Sequence, residues 1–144
     1  MSLNDLDLAH PCAGGTLIAL LDSCSRLGWL ALAVMLHAGL LLVPATGWLT
    51  GMMVCVLLLG LVVQYLAARL ALDAALFRTL YRPDSDARVF DQAMATLLGG
   101  IAPETPRTLD SRWRGTQRLI RRFAIGFALQ LTLWLATLLA TIWY

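Results

Sequence analysis

The chain has 144 residues, 59% hydrophobic and only 14% charged, with a formal net charge of +2 and a mean hydropathy of +0.72. In a water-soluble domain about half of the residues are apolar, so this composition excludes an ordinary soluble domain, and the long uncharged stretches call for lipid or other helices as solvent. Three cysteines, Cys12, Cys24 and Cys55, are an odd number with one inside an apolar run, which excludes a disulfide framework.

In chain order, residues 1–26 read as a cytoplasmic or interfacial segment. Asp5, Asp7 and His10 precede any apolar run, so the basic start of a cleavable signal is missing and the first span is expected to be retained. Thr16 to Leu21, flanked by Asp22 and Arg26, is expected to form a lead-in helix at the interface. Residues 27–43 are uncharged, interrupted only by His37, and have about one bilayer thickness as a helix; they are the first predicted transmembrane helix. Pro44-Ala45-Thr46-Gly47 has turn chemistry and predicts a tight external hairpin over 44–47. Residues 48–68 are the second transmembrane helix, expected to run on into water through Arg69, Asp73 and Arg78 until Pro83. Residues 69–122 form a cytoplasmic helical segment. Asp84 or Ser85 can cap a short amphipathic helix carrying Ala87, Phe90, Met94 and Leu97, and Gly99-Gly100 can end it. After a linker from Ile101 to Pro106, Leu109, Trp113, Thr116 and Ile120 form one stripe of a helix expected to lie along the membrane surface before turning in. Residues 123–144 are the third transmembrane helix. In hydrocarbon every backbone polar group must pair internally, so uncharged runs of this length are helices and the fold class is an all-α, polytopic membrane protein with three transmembrane helices.

Every basic residue is arginine, and ten of the eleven lie between the second and third spans, whereas the 44–47 hairpin carries no charge. The positive-inside rule then predicts the N-terminal side and residues 69–122 in the cytoplasm and the C-terminal side outside, in a bacterial cytoplasmic (inner) membrane. Trp29, Tyr65 and Phe123 fall near the inner interface and Trp48, Trp143 and Tyr144 near the outer one, where amphipathic aromatics are enriched.

Four features are candidates for function. Arg112, Arg114, Arg118, Arg121 and Arg122 fit a topology determinant that also contacts anionic phospholipid headgroups nonspecifically, each such charge contributing about 1 kcal/mol near the surface; the competing reading is a regulated lipid or nucleic-acid site. Arg69 and Asp73 form an i, i+4 pair with Gln64 about a turn deeper, either a salt-bridged or partner-facing pair or part of an ion relay. His37 with Met52, Met53 and Cys55 at similar depth is a conceivable soft-metal or haem set, against a histidine hydrogen-bonded to another helix. Gly47 and Gly51 form a G-x-x-x-G, Ala67, Ala71 and Ala75 continue a small-residue row, and Gly126, Gln130, Leu133, Thr137 and Thr141 share one face of the third span, all candidates for helix–helix contact.

No positioned nucleophile and base, clustered carboxylates, P-loop or dinucleotide fingerprint is present, so neither catalysis nor a cofactor is expected. The function this points to is a noncatalytic accessory or scaffold subunit of a bacterial inner-membrane complex. Its expected partners are membrane lipids, other membrane-protein subunits or a second copy, and not nucleic acid. A small homo-oligomeric channel or transporter is the alternative, with Gln64, Arg69, Asp73 and Gln130 facing a pathway; a haem- or copper-binding redox subunit using His37 is the third.

Overall fold

The computed structural model describes residues 11–43, 45, 47–81, 96 and 109–143. The described elements are all helical: α1 (Pro11–Leu42), α2 (Trp48–Leu80) and α3 (Leu109–Trp143). Their 32, 33 and 35 residues correspond to about 48, 50 and 52 Å at 1.5 Å per residue, against a hydrocarbon core of about 30 Å. All three are long and apolar enough to cross a membrane, so the chain is a multi-pass membrane protein by length and composition. Each helix also has about 20 Å to spare.

Two sequence expectations are revised here. The stretch from Thr16 to Leu21 is not a separate lead-in helix but part of an uninterrupted α1. The arginine-rich helix before the third span does not turn into the membrane; it is continuous with that span as α3. Neither junction contains a proline, and an α-helix that already carries its hydrogen-bond ladder has no reason to break where only the solvent changes. The amphipathic helix expected around 85–97 lies outside the described residues apart from Thr96.

The α1–α2 hairpin closes through Gly47, which has φ +64° and ψ −134°, a conformation in which a Cβ would be strained. The Ala45 N–H donates to the Leu42 carbonyl, and the Thr50 hydroxyl donates to the Ala45 carbonyl, tying both helix ends to the turn. Along α2, Met53, Val56, Gly60, Val63, Ala67, Leu70, Ala74 and Phe77 are buried, alternating steps of three and four residues. On α1 the buried positions are Gly14, Leu17, Leu21, Cys24, Gly28, Ala31, Val34 and Ala38, with nearly the same alternation. A 3.5-residue repeat on both partners keeps one seam in register over many turns. The small-residue row predicted through Ala67, Ala71 and Ala75 is therefore not the seam: Ala67 and Ala74 are buried, while Ala71 and Ala75 are exposed. Steps of four drift around the helix by about 40° each, whereas the three–four alternation drifts by only about 20° per seven residues.

α3 packs more thinly. Among its described side chains the buried positions are Thr116, Phe123, Gln130 and Thr137, one per seven residues. Two core clusters result. One joins Leu17, Leu21, Cys24 and Ala31 of α1, Val63, Ala67, Leu70, Ala74 and Phe77 of α2, and Phe123 of α3. The other, Val34, Ala38, Met53 and Val56, is flanked by Leu131, Leu133 and Trp134 of α3.

The interhelical contacts set a common register. A Cβ built on Gly28 would lie 2.8 Å from Ala67 Cβ, one on Gly60 would lie 3.1 Å from Met35 Sδ, and one on Gly126 would lie 3.3 Å from Val63 Cγ2. With Gln130 bonded to Ala31, this register brings Arg26, Arg69 and Arg122 to one level of the bundle, within about a helical turn of each other. All three are exposed. On one side of this arginine ring lie the uncharged lengths 27–43, 48–68 and 123–143, the longest about 32 Å. On the other side lie all remaining charged residues of the three helices. The exposed large hydrophobic residues follow the same border. Trp29, Leu36, Leu40, Val54, Leu58, Leu61, Tyr65, Ile125, Leu129 and Leu139 are among those on the uncharged side, and among the described residues only Leu20 and Leu72 lie beyond the ring. A continuous apolar exterior of this kind is suited to lipid and not to water.

Candidate functional site

Two side-chain amides tie the three helices together on the uncharged side of the ring. Gln64 Nε2 of α2 donates to the Gly28 carbonyl at 2.7 Å, and Gln130 Nε2 of α3 donates to the Ala31 carbonyl at 3.0 Å. Both acceptors are on α1, one turn apart, so α1 receives one side-chain amide from each neighbour. Glycine makes room for this layer. A Cβ on Gly60 would lie 3.0 Å from Gln130 Nε2 and 3.1 Å from Met35 Cγ, so the missing side chain is the notch that accepts the amide. Gln130 is fully buried, and its Oε1 has no partner among the described residues.

The other predicted contact residues are placed unevenly. Gly126 and Leu133 are half-buried, Thr137 is buried and Thr141 is exposed. The threonines do not bond across to another helix: Thr137 Oγ1 donates to the Trp134 carbonyl at 2.6 Å and Thr141 Oγ1 to the Leu138 carbonyl at 2.7 Å, both within α3. A hydroxyl in an apolar medium takes the nearest acceptor, the carbonyl one turn back. A Cβ at Gly47 or Gly51 would meet no other described residue within 4 Å; Gly47 serves the turn, and Gly51 is exposed.

His37 is paired with α3 rather than with the methionines of α2. Trp134 Nε1 donates to His37 Nδ1 at 3.0 Å, with the rings edge-on at a centroid distance of 5.6 Å. An indole N–H can only donate, so His37 Nδ1 is the acceptor in this contact. Met53 is buried, Met52 half-buried and Cys55 exposed, and no cluster of three metal-binding His, Cys, Asp or Glu side chains occurs among the described residues.

On the charged side of the ring, Arg78 and Asp22 form an ion pair joining α2 to α1, whereas Arg69, exposed, and Asp73, half-buried, are not within ion-pairing distance. The Tyr81 ring covers Gly14, where a Cβ would lie 2.6 Å from the ring carbons, and burial raises the Tyr81 phenol above its usual pKa. Arg114, Arg118, Arg121 and Arg122 are exposed on α3; Arg112 is in its first turn, with its side chain outside the described set. Of the four residues predicted to face a pathway, Gln130 is buried, Gln64 is bonded to α1, Asp73 is half-buried and Arg69 is exposed.

Sequence reading missed the Gly14, Gly28 and Gly60 close approaches and the Arg78–Asp22 pair, and it offered a bond from His37 to another helix without naming Trp134 as the partner. A search for heptad spacing would have found the first: Gly14, Leu21, Gly28 and Met35 recur every seven residues, as do Leu17, Cys24, Ala31 and Ala38. Comparison with known protein families, with curated proteins and with solved structures gives no significant match.

Proposed function

We propose that the protein is a noncatalytic accessory or scaffold subunit of a bacterial cytoplasmic-membrane complex, with the arginine-bearing end of its bundle in the cytoplasm. The observation that supports this reading is the use made of the interior amides. Gln64 and Gln130 donate to α1 backbone carbonyls and knit the three helices together, which leaves no polar row facing a common path within one copy. What remains available is the outer surface, above all that of α3, which buries only one residue in seven. Transmembrane association relies on close packing and on a few polar bonds, and this exterior suits further subunits as partners. Cofactors and nucleic acid have no place in this reading.

Native mass spectrometry after gentle extraction from the source membrane tests it. A fixed-stoichiometry assembly with a different membrane protein is expected, and it should persist when the chain is tagged at either end. A closed ring of identical copies that conducts ions after reconstitution would replace this reading with a channel. A monomer under all extraction conditions would overturn both.

A further inference from the structure

We propose that α3 carries a seat for an anionic phospholipid, formed by Arg118, Arg121 and Arg122 above the apolar strip of Ile125 and Leu129. At about 100° per residue the three arginines point within roughly 70° of the direction opposite the buried seam marked by Thr116 and Phe123. They therefore face away from α1 and α2. Ile125 and Leu129 continue the same face one and two turns further on, 51% and 56% exposed. Charge gives way to hydrocarbon-compatible surface along a single line, as headgroup gives way to acyl chain along a phospholipid.

Electrostatics within α3 calls for an outside anion. Arg118 lies three and four residues from Arg121 and Arg122, spacings at which like charges repel, and α3 has no acidic residue from Ser111 to Trp143. Among the described residues of α1 and α2, the Asp22 carboxylate is engaged by Arg78, and Asp73 is on α2. Arg122 abuts the uncharged length that begins at Phe123, so the three guanidinium groups span about one turn at the depth of a headgroup layer. Guanidinium binds phosphate through paired donors, a geometry that ammonium does not match. The adjoining apolar strip selects a lipid over free phosphate as the source of the anion. This seat holds in either leaflet and does not depend on the scaffold reading.

The test is a titration of the detergent-purified full chain with phosphatidylglycerol, phosphatidylcholine and inorganic phosphate, read by native mass spectrometry, with helix content checked by circular dichroism. Phosphatidylglycerol is expected to bind at least about tenfold more tightly than phosphatidylcholine. Single Arg→Gln changes at positions 118, 121 and 122 should each weaken it about fivefold, and the triple variant should remove the preference. Arg26→Gln with Arg69→Gln should leave it within about threefold, because those two charges are on other helices. Ile125→Ser with Leu129→Ser should weaken lipid binding without changing the response to inorganic phosphate. An unchanged preference in the triple variant overturns the proposal, as does an equal loss in the Arg26 and Arg69 control, which would mark diffuse attraction. Displacement of the lipid by equimolar inorganic phosphate overturns it too. If the triple variant loses helix content, the single Arg121→Gln change decides.

Discussion

At Gly28 the backbones of α1 and α2 are so close that one added carbon would stand 2.8 Å from the Ala67 Cβ. Gly28→Ala should therefore destabilise the bundle by about 1–3 kcal/mol, the usual range for overpacking. The paired change, Gly28→Ala with Ala67→Gly, moves the methyl group across the contact and should recover most of that loss. Unfolding of the reconstituted protein by steric trapping measures both, and additive effects would show that the two backbones do not meet there. One turn along, Gln130→Leu removes the bond to Ala31, a type of interaction that averages only about 0.6 kcal/mol in membrane proteins. It also removes the unpartnered Oε1, which offsets part of the cost. Gly60→Val should do more damage than Gln130→Leu, since its side chain would occupy the space of both the Gln130 amide and Met35. A larger effect from Gln130→Leu would assign the amide a role beyond packing.

At the scale of elements, the α1–α2 hairpin and α3 are held unequally. The hairpin has a heptad seam, a turn, the Gln64 bond and the Arg78–Asp22 pair; exposed ion pairs contribute about 0–1 kcal/mol, so the seam carries most of the stability. α3 is attached by one buried residue per seven, the Gln130 bond and the Trp134–His37 bond. Gly126→Leu, whose first added carbon would be 3.3 Å from Val63, should release α3 while leaving the hairpin paired. In a cysteine-free background, cysteines at Asp22 and Arg78 should still cross-link in this variant, and a pair at Ala31 and Gln130 should not. Loss of both cross-links would show one cooperative unit. How much of this was legible beforehand follows from the physics of each feature. Helix existence was readable, because uncharged runs in hydrocarbon have only one backbone solution. Helix ends were not: α1 and α3 continue through their change of solvent, and hydropathy records the solvent rather than the hydrogen-bond ladder. The face of α3 that holds Gln130 could be computed from 3.6 residues per turn, but the partner of Gln130 is a backbone carbonyl, and a carbonyl leaves no mark in a sequence. The same blindness made threonine look like an interhelical donor when its own helix supplies the acceptor.

For the whole molecule, the arginine ring turns a count of charges into a plane. Arg26, Arg69 and Arg122 come from three distant parts of the chain, yet the packing register sets them at one level, and every charged residue of the helices lies at or beyond that level. The two sides also differ in what holds them together. With the membrane border at the ring, burying Leu17, Leu21, Leu70 and Phe77 beyond it would remove apolar surface from water and be favoured by the hydrophobic effect. On the uncharged side lipid is as apolar as leucine, so cohesion falls to close backbone approach and the few polar bonds. Orientation is then a property of the plane as a whole. Under the proposed orientation, a cysteine introduced at Ala45, in the uncharged hairpin, should be labelled by an impermeant thiol reagent in intact cells, and one at Ser111 only after the membrane is opened. Because arginines on three helices mark the same side, Arg26→Gln alone should not change this pattern. Changing Arg118, Arg121 and Arg122 together to Gln while placing two arginines in the 44–47 hairpin removes and reverses the bias at once, and a fraction of molecules should then expose Ser111 outside. Labelling of Ala45 from the cytoplasm in the unaltered protein would invert the assignment, and indifference of the recharged variant would show that something other than arginine placement fixes the bundle in its membrane.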